Sequence, residues 1–331
     1  VDGLDIKGAV LKYTEKIDRR LYPLLFLVVA ALFPIICKNM YILHILILLG
    51  VYQVLGLSLN IVTGVAGELD LGHAAFFGVG AYASSLVMQR LTGDFWTGFL
   101  AAIVLAFLFG LILGIPSLRI RGDYLAIVTL GFNEIMRYVM LNWQELTNGP
   151  LGINSIQPPG IFGLSLGSKQ MMFYFISLLC LVTYVVTKRI STTRFGRSLV
   201  AIRDNEIAAT SLGINTGYYK VMGFAIAAAF AGAAGSFFAH YMTFINPNNF
   251  TSNESILILC MVVIGGKGSF LGTITGVAIL FLLPEVLRPV ANYRMLIYGV
   301  MIILMMVYRS KGFIPEKRVP VKIGKRRSEK A

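Results

Sequence analysis

The chain has 331 residues, of which 56% are hydrophobic and 14% charged, with a mean hydropathy of +0.75. Water-soluble domains carry about 25% charged residues, so an ordinary soluble globular protein is excluded. Lysine and arginine number 29 against 16 acidic residues, a formal charge of +13, and the placement of those cations separates a nucleic-acid role from a membrane one.

A helix that crosses about 30 Å of hydrocarbon needs roughly 20 mostly apolar residues. Runs of this kind predict an all-α, polytopic membrane protein. After a polar segment at 1–20, apolar runs follow at 21–36, 41–62, 71–88, 95–115, 124–140, 171–187, 221–245, 255–264, 271–287 and 295–308. The first run is followed by many others, so it reads as a retained span rather than a removable leader. The run at 255–264 is too short to cross alone, and that at 71–88 contains Gly72, Gly78 and Gly80. Either is a candidate half-helix or re-entrant segment, and the expectation is eight to ten crossings within a membrane domain at 21–308.

Basic residues in short loops mark the cytoplasmic side. If every run crosses and the N-terminus is inside, the inside regions hold five cations before Leu21, then Arg119 and Arg121, six from Lys188 to Lys220, Lys267, and nine from Arg309 onward. That places 23 of 29 on one face. Both termini are then cytoplasmic, with a basic tail at 309–331 that also attracts anionic lipid. Since the cations are spread along the loops of a membrane chain, no nucleic-acid partner is expected.

Two loops stand out. The outer one, 141–170, is rich in glycine, proline and asparagine and reads either as an ordered surface facing a partner or as a plain connector. The inner one, 188–220, contains a predicted short helix, with Asp204 as N-cap and Gly213 just past its end. About nine residues would give roughly 13 Å of helix, with Ile207, Ala208, Ser211 and Leu212 on one face and small Ala208 and Ala209 permitting close approach. It is either a docking knob for another protein or a connector lying on its own chain.

Ionisable residues inside spans are functional candidates. Glu134 and Arg137 are spaced to pair on one helix face and are expected as a buried ion pair. Asp70 and His73 sit in the glycine-rich segment, whereas His44 and His240 read as packing histidines. Cys37, Cys180 and Cys260 are far apart and suggest neither a disulfide framework nor a metal site. No catalytic constellation, metal site or cofactor motif is recognisable. The phosphate loop G-x-x-x-x-G-K-[ST] is also missing, because the "GGKGSF" around Lys267 lacks both the earlier glycine and the following hydroxyl residue.

Glu206, Ala208, Ala209 and Gly213 resemble the "EAA…G" coupling motif of ABC importer permeases. The surrounding "AIRDNEIAATSLGIN" is similar to the M-type permease (LivM family) of branched-chain amino acid uptake systems. So are "GELDLGHAAFFGVGAY" from Gly67, "RGDYLAIVTLGFNEIMR" from Arg121, "MVVIGGKGSFLGTITGVA" from Met261, "LPEVLR" from Leu283 and "LIYGVMIILMMVYRSKGFIP" from Leu296. The resemblance implies a type II ABC importer-like permease in a bacterial inner membrane. It further implies two separate ATPase subunits, a paralogous H-type permease and an extracytoplasmic solute-binding protein. The loop residues Asp204, Glu206, Ala208, Ala209 and Gly213 would then couple to the ATPase.

A zwitterionic solute suits broken helices, whose free N–H and C=O ends meet carboxylate and ammonium. Two glycine-interrupted segments fit: Asp70, Gly72, His73, Gly78 and Gly80 in one, Gly265, Gly266 and Gly268 in the other. Glycines that let helices pack closely are the competing reading. Urea or short amides as substrates, and an ion-coupled secondary transporter, stand as alternative functions.

Overall fold

The computed structural model describes residues 39–120, 122–161, 164–165, 167–286, 299–300 and 312–314. The expected segment 1–20, the span 21–36, and the bulk of the 295–308 span and of the 309–331 tail lie outside the described residues.

Helix α1 spans Met40–Asn60 and begins where the Asn39 side chain accepts from the Tyr41 N–H at 3.0 Å, one of the four orphan donors of a helix start. It runs directly into a π-helical turn, Ile61–Ala66, which ends at Gly67 in the left-handed region, φ +78°. Helix α2, His73–Val87, follows and continues as a second π turn, Met88–Thr92. Next come α3 (Phe95–Gly114), α4 (Asp123–Asn142), the single turn α5 (Gln144–Thr147) and α6 (Lys169–Thr192). The inner loop holds α7 (Arg194–Asp204) and α8 (Glu206–Ser211), and the chain returns through α9 (Thr216–Met242), α10 (Ser252–Gly265) and α11 (Phe270–Val286).

Five described stretches are long and apolar enough to cross a membrane: Met40–Ala66, Phe95–Leu118, Asp123–Asn142, Lys169–Thr192 and Thr216–Met242. Helices α2, α10 and α11 have 15, 14 and 17 residues. At about 1.5 Å per residue α10 falls short of the roughly 30 Å hydrocarbon core, whereas α2 is prolonged by the π turn Met88–Thr92 and α11 reaches the edge of the described residues. The three coincide with the runs at 71–88, 255–264 and 271–287, and α10 is the short helix expected at 255–264.

The core is organised by α9, whose alanines and glycines allow backbone contact with α2 and α3. A Cβ on Gly80 would run into the Gly232 backbone, one on Gly235 into Phe77, and one on Gly110 into Ala225 and Ala228. Such small-residue crossings give helices their van der Waals packing where lipid removes the hydrophobic drive. Outward rows such as Leu100, Val104, Leu108 and Ile112 on α3 and Leu178, Val182 and Val185 on α6 stay exposed, as suits lipid-facing surface.

The 141–170 loop is ordered around short turns and a two-residue antiparallel ladder, Gly160–Ile161 with Leu164–Ser165. Its Ile153 pairs in both directions with Ile245 beyond α9, and the Arg90 guanidinium donates to the Glu145 and Leu146 carbonyls.

Candidate functional site

The inner loop begins with α7, an amphipathic helix that buries Gly196, Leu199 and Ile202. Leu199 packs with Val65 and Ala66 of the first π turn, so the loop is seated directly on the break in α1. The next helix starts one residue later than the sequence suggested. Asp204 is the last residue of α7, and Asn205 is the cap, its side chain accepting from the Ala208 N–H at 3.0 Å. Asn and Asp cap about equally well, and the continuation of α7 through Asp204 decides between them. Helix α8 is therefore six residues long rather than about nine.

Its end matches the expectation for Gly213. With φ +81°, this residue allows the Gly213 N–H to donate to Thr210 O at 2.9 Å and the Ile214 N–H to Ala209 O at 3.1 Å, a Schellman pair. Ile207, Ala208, Ser211 and Leu212 all face outward, Ile207 and Leu212 with 74% and 80% exposure. Ala209 does not share that surface: it is buried against the chain itself. One face of α8 therefore rests on the protein and the other is open.

Glu206, at the first position of α8, is not directed to solvent. Its Oε2 lies 3.0 Å from Lys220 Nζ, which also lies 2.7 Å from Glu68 Oε1. Lys220 is buried in the first turns of α9, and Glu68 is buried in the chain between Gly67 and α2. Beside them the Arg203 guanidinium donates to Gly64 O of the π turn, and its aliphatic stem lies over Gly67. In sequence Lys220 and Arg203 read only as loop cations and Glu68 only as a motif letter; the Lys220–Glu68 pair and the Arg203–Gly64 contact are tertiary, and no local spacing signals either.

The second glycine-rich segment meets the end of α1. Gly268, φ +80°, donates its N–H to Asn60 Oδ1 at 2.9 Å, and Gly64 packs against the same backbone. In the first segment Asp70 and His73 are fully buried. Asp70 Oδ1 accepts from the Gly72 N–H at 2.8 Å, and Oδ2 lies 3.3 Å from His73 Nδ1. The other ring nitrogen of His73 lies 2.8 Å from Ser58 Oγ. The Ala74 N–H, at the start of α2, donates to Ser255 Oγ at 2.9 Å. At the end of α10 the Ile264 and Gly265 carbonyls accept from the Phe313 and Ile314 N–H groups. The half-helix ends are thus engaged by the chain's own groups.

The remaining glycines divide by what surrounds them. Gly80 is a crossing point with Gly232, Gly78 packs on the Phe250 ring and Met140, and Gly265 packs on Gly272. These three take the packing role. Gly72 also packs against the Thr129 backbone but lies just ahead of α2, and Gly266, with φ +123°, lies just past the end of α10, so both sit at bends.

On α4, Arg137 Nε donates to Glu134 Oε2 at 3.0 Å, and Ser252 Oγ donates to Glu134 Oε1 at 2.5 Å. The expected pair forms, but its side chains keep 18% and 32% exposure, so it is half-buried rather than buried, because this face of α4 also carries exposed Ile135 and Tyr138. His44 lies 2.6 Å from the Tyr241 hydroxyl, and His240 engages Ser84 Oγ at 2.8 Å and Gln157 O at 2.7 Å. No group of three or more metal-ligating side chains occurs among the described residues.

Residues 41–306 match the family model for the permease component of branched-chain amino acid transport systems. The chain is 37% identical over 330 residues to the high-affinity branched-chain amino acid transport system permease protein LivM of Escherichia coli, covering 93% of this chain and 77% of that protein. It is 36% identical to the Salmonella typhimurium protein of the same name, covering 95% and 80%. Against the probable branched-chain amino acid transport permease protein LivM of Methanocaldococcus jannaschii it is 27% identical, covering 83% and 93%. No solved structure matches significantly.

Proposed function

The chain belongs to the family of branched-chain amino acid transport system permease components, and on that premise we propose how its parts divide the work of an ATP-driven importer. It is a membrane-embedded permease subunit of a branched-chain amino acid ABC importer, a transport protein and not an enzyme. It acts within a complex of several subunits. The proposed partners are two ATPase subunits at the face of the 188–220 loop, a paralogous H-type permease completing the path, and an extracytoplasmic binding protein that delivers leucine, isoleucine or valine. The proposed setting is a bacterial inner membrane with both termini in the cytoplasm.

The observation that carries this division is α8. A short capped helix with Ile207 and Leu212 standing almost fully free and its other side seated through Ala209 is a knob for a socket in a partner. The coupling residues are Glu206, Ala208 and Gly213, with Asn205 taking the cap and Asp204 closing α7. Ala209 anchors the knob from beneath. The path follows the bends, with Asp70, Gly72 and His73 on one and Gly266 and Gly268 on the other, next to the paralogous subunit. Gly78, Gly80 and Gly265 hold the helices that carry them. In the conformation described, the chain's own groups engage the bends, with Asn60 Nδ2 and Thr63 Oγ1 left unpaired among the described residues, and solute enters when partner movement separates them.

Placing Asp at both Ile207 and Leu212 tests the knob. ATP-driven leucine uptake by the complete complex is expected to fall to background while the subunit stays in the membrane. Unchanged uptake would contradict the docking role.

A further inference from the structure

Lys220 occupies an unusual position for a membrane-protein cation: it is 3% exposed and reaches two carboxylates on different elements. Glu206 opens α8. Glu68 lies in the bend that separates the π turn of α1 from α2. Removing three ionised groups from water yields little net stability, yet removing one partner from such a group is strongly destabilising. What the triad supplies is a fixed relation between α8 and the bend.

The bend itself has the features of a hinge. It comprises a π turn, a feature that concentrates at functional sites, and Gly67 in the left-handed region. Asn60 Nδ2 and Thr63 Oγ1, both buried there, have no hydrogen-bond partner among the described residues. Arg203, the residue before the last of α7, adds a second tie by donating to Gly64 O. If α8 shifts, Glu206 draws Lys220 and Glu68 with it, because the alternative leaves a buried charge unpaired.

We infer that Lys220 is a positioning residue for transport: bridged between Glu206 and Glu68, it transmits displacement of α8 to the hinge between α1 and α2. This rests on the reading of α8 as the ATPase-docking helix. The distal arm, Glu68, is the informative target, because its loss leaves the Glu206–Lys220 pair and the exposed face of α8 intact.

The test uses the complete complex in proteoliposomes, loaded with ATP and supplied with leucine-charged binding protein. Three quantities are read: copurification of the ATPases, ATP hydrolysis, and leucine taken up per ATP hydrolysed. The Glu68→Ala variant is expected to keep its ATPases and hydrolyse ATP, while leucine per ATP falls about ten-fold, within the usual range of coupling between sites. The Lys220→Arg variant keeps a long cation in place and is expected to retain most of the wild-type ratio. An unchanged ratio in Glu68→Ala overturns the inference, and so does joint loss of copurification, hydrolysis and uptake in that variant, which would mark a merely structural role. If the unmodified complex moves leucine without ATP, the reading of α8 fails; if it needs ATP and Glu68→Ala behaves normally, the relay alone fails.

Discussion

The side-chain oxygen of Asn60 accepts the backbone N–H of Gly268 at 2.9 Å, joining two bends that lie far apart in sequence. Asn60 closes α1, and Gly268 sits in the loop between α10 and α11. Removing the acceptor leaves a buried N–H without a partner, a cost of about 1–3 kcal/mol. The Asn60→Ala variant is therefore expected to unfold at lower temperature in detergent. An unchanged unfolding temperature would show that the two bends are held by other contacts.

Gly80 and Gly131 form a matched pair. A Cβ at Gly80 has no room beside the Gly232 backbone, whereas one at Gly131 on α4 meets nothing within 4 Å. Overpacking of a closed interface costs about 1–3 kcal/mol, while glycine replaced by alanine in an open helix position gains roughly 0.5–1 kcal/mol. Gly80→Ala should lower and Gly131→Ala raise the unfolding temperature. The reverse order would count against the α2–α9 crossing described above.

Gly213 tests backbone conformation without steric confusion, since its surroundings are open and its φ is +81°. Asparagine visits this region readily and valine does not, a difference of about 1–2 kcal/mol. The Gly213→Val variant should insert normally but import slowly, whereas Gly213→Asn should approach wild-type uptake. Equal uptake by the two would mean that the end of α8 need not be fixed.

The Glu134–Arg137 pair makes a weaker demand. At its partial exposure, loss of the pair is worth about 1 kcal/mol or less, so Arg137→Gln should shift stability little and leave ATP-driven uptake near normal. A collapse of uptake with unchanged stability would give this pair a part in the transport cycle.

How far sequence reaches is clear from these residues. Gly213 was legible because a left-handed helix end is a local event, decided within six residues. Asp204 and Asn205 were not separable, since both cap well and the choice depends on where α7 stops. Gly80 was open to two readings until the Gly232 backbone was placed beside it. The short helix α10 is legible in the length of its apolar run. The Glu68–Lys220–Glu206 triad left no trace, because ion pairing between distant segments has no period or spacing to detect.

ATP is the energy source that every proposed role of α8 requires. The decisive measurement is uptake of labelled leucine into proteoliposomes containing this subunit, its paralogue, the ATPases and the binding protein, with ion gradients collapsed by ionophores. Accumulation that persists under those conditions and stops when ATP is withheld is the predicted result. Uptake by this chain without ATPases, driven by a proton or sodium gradient, would contradict it.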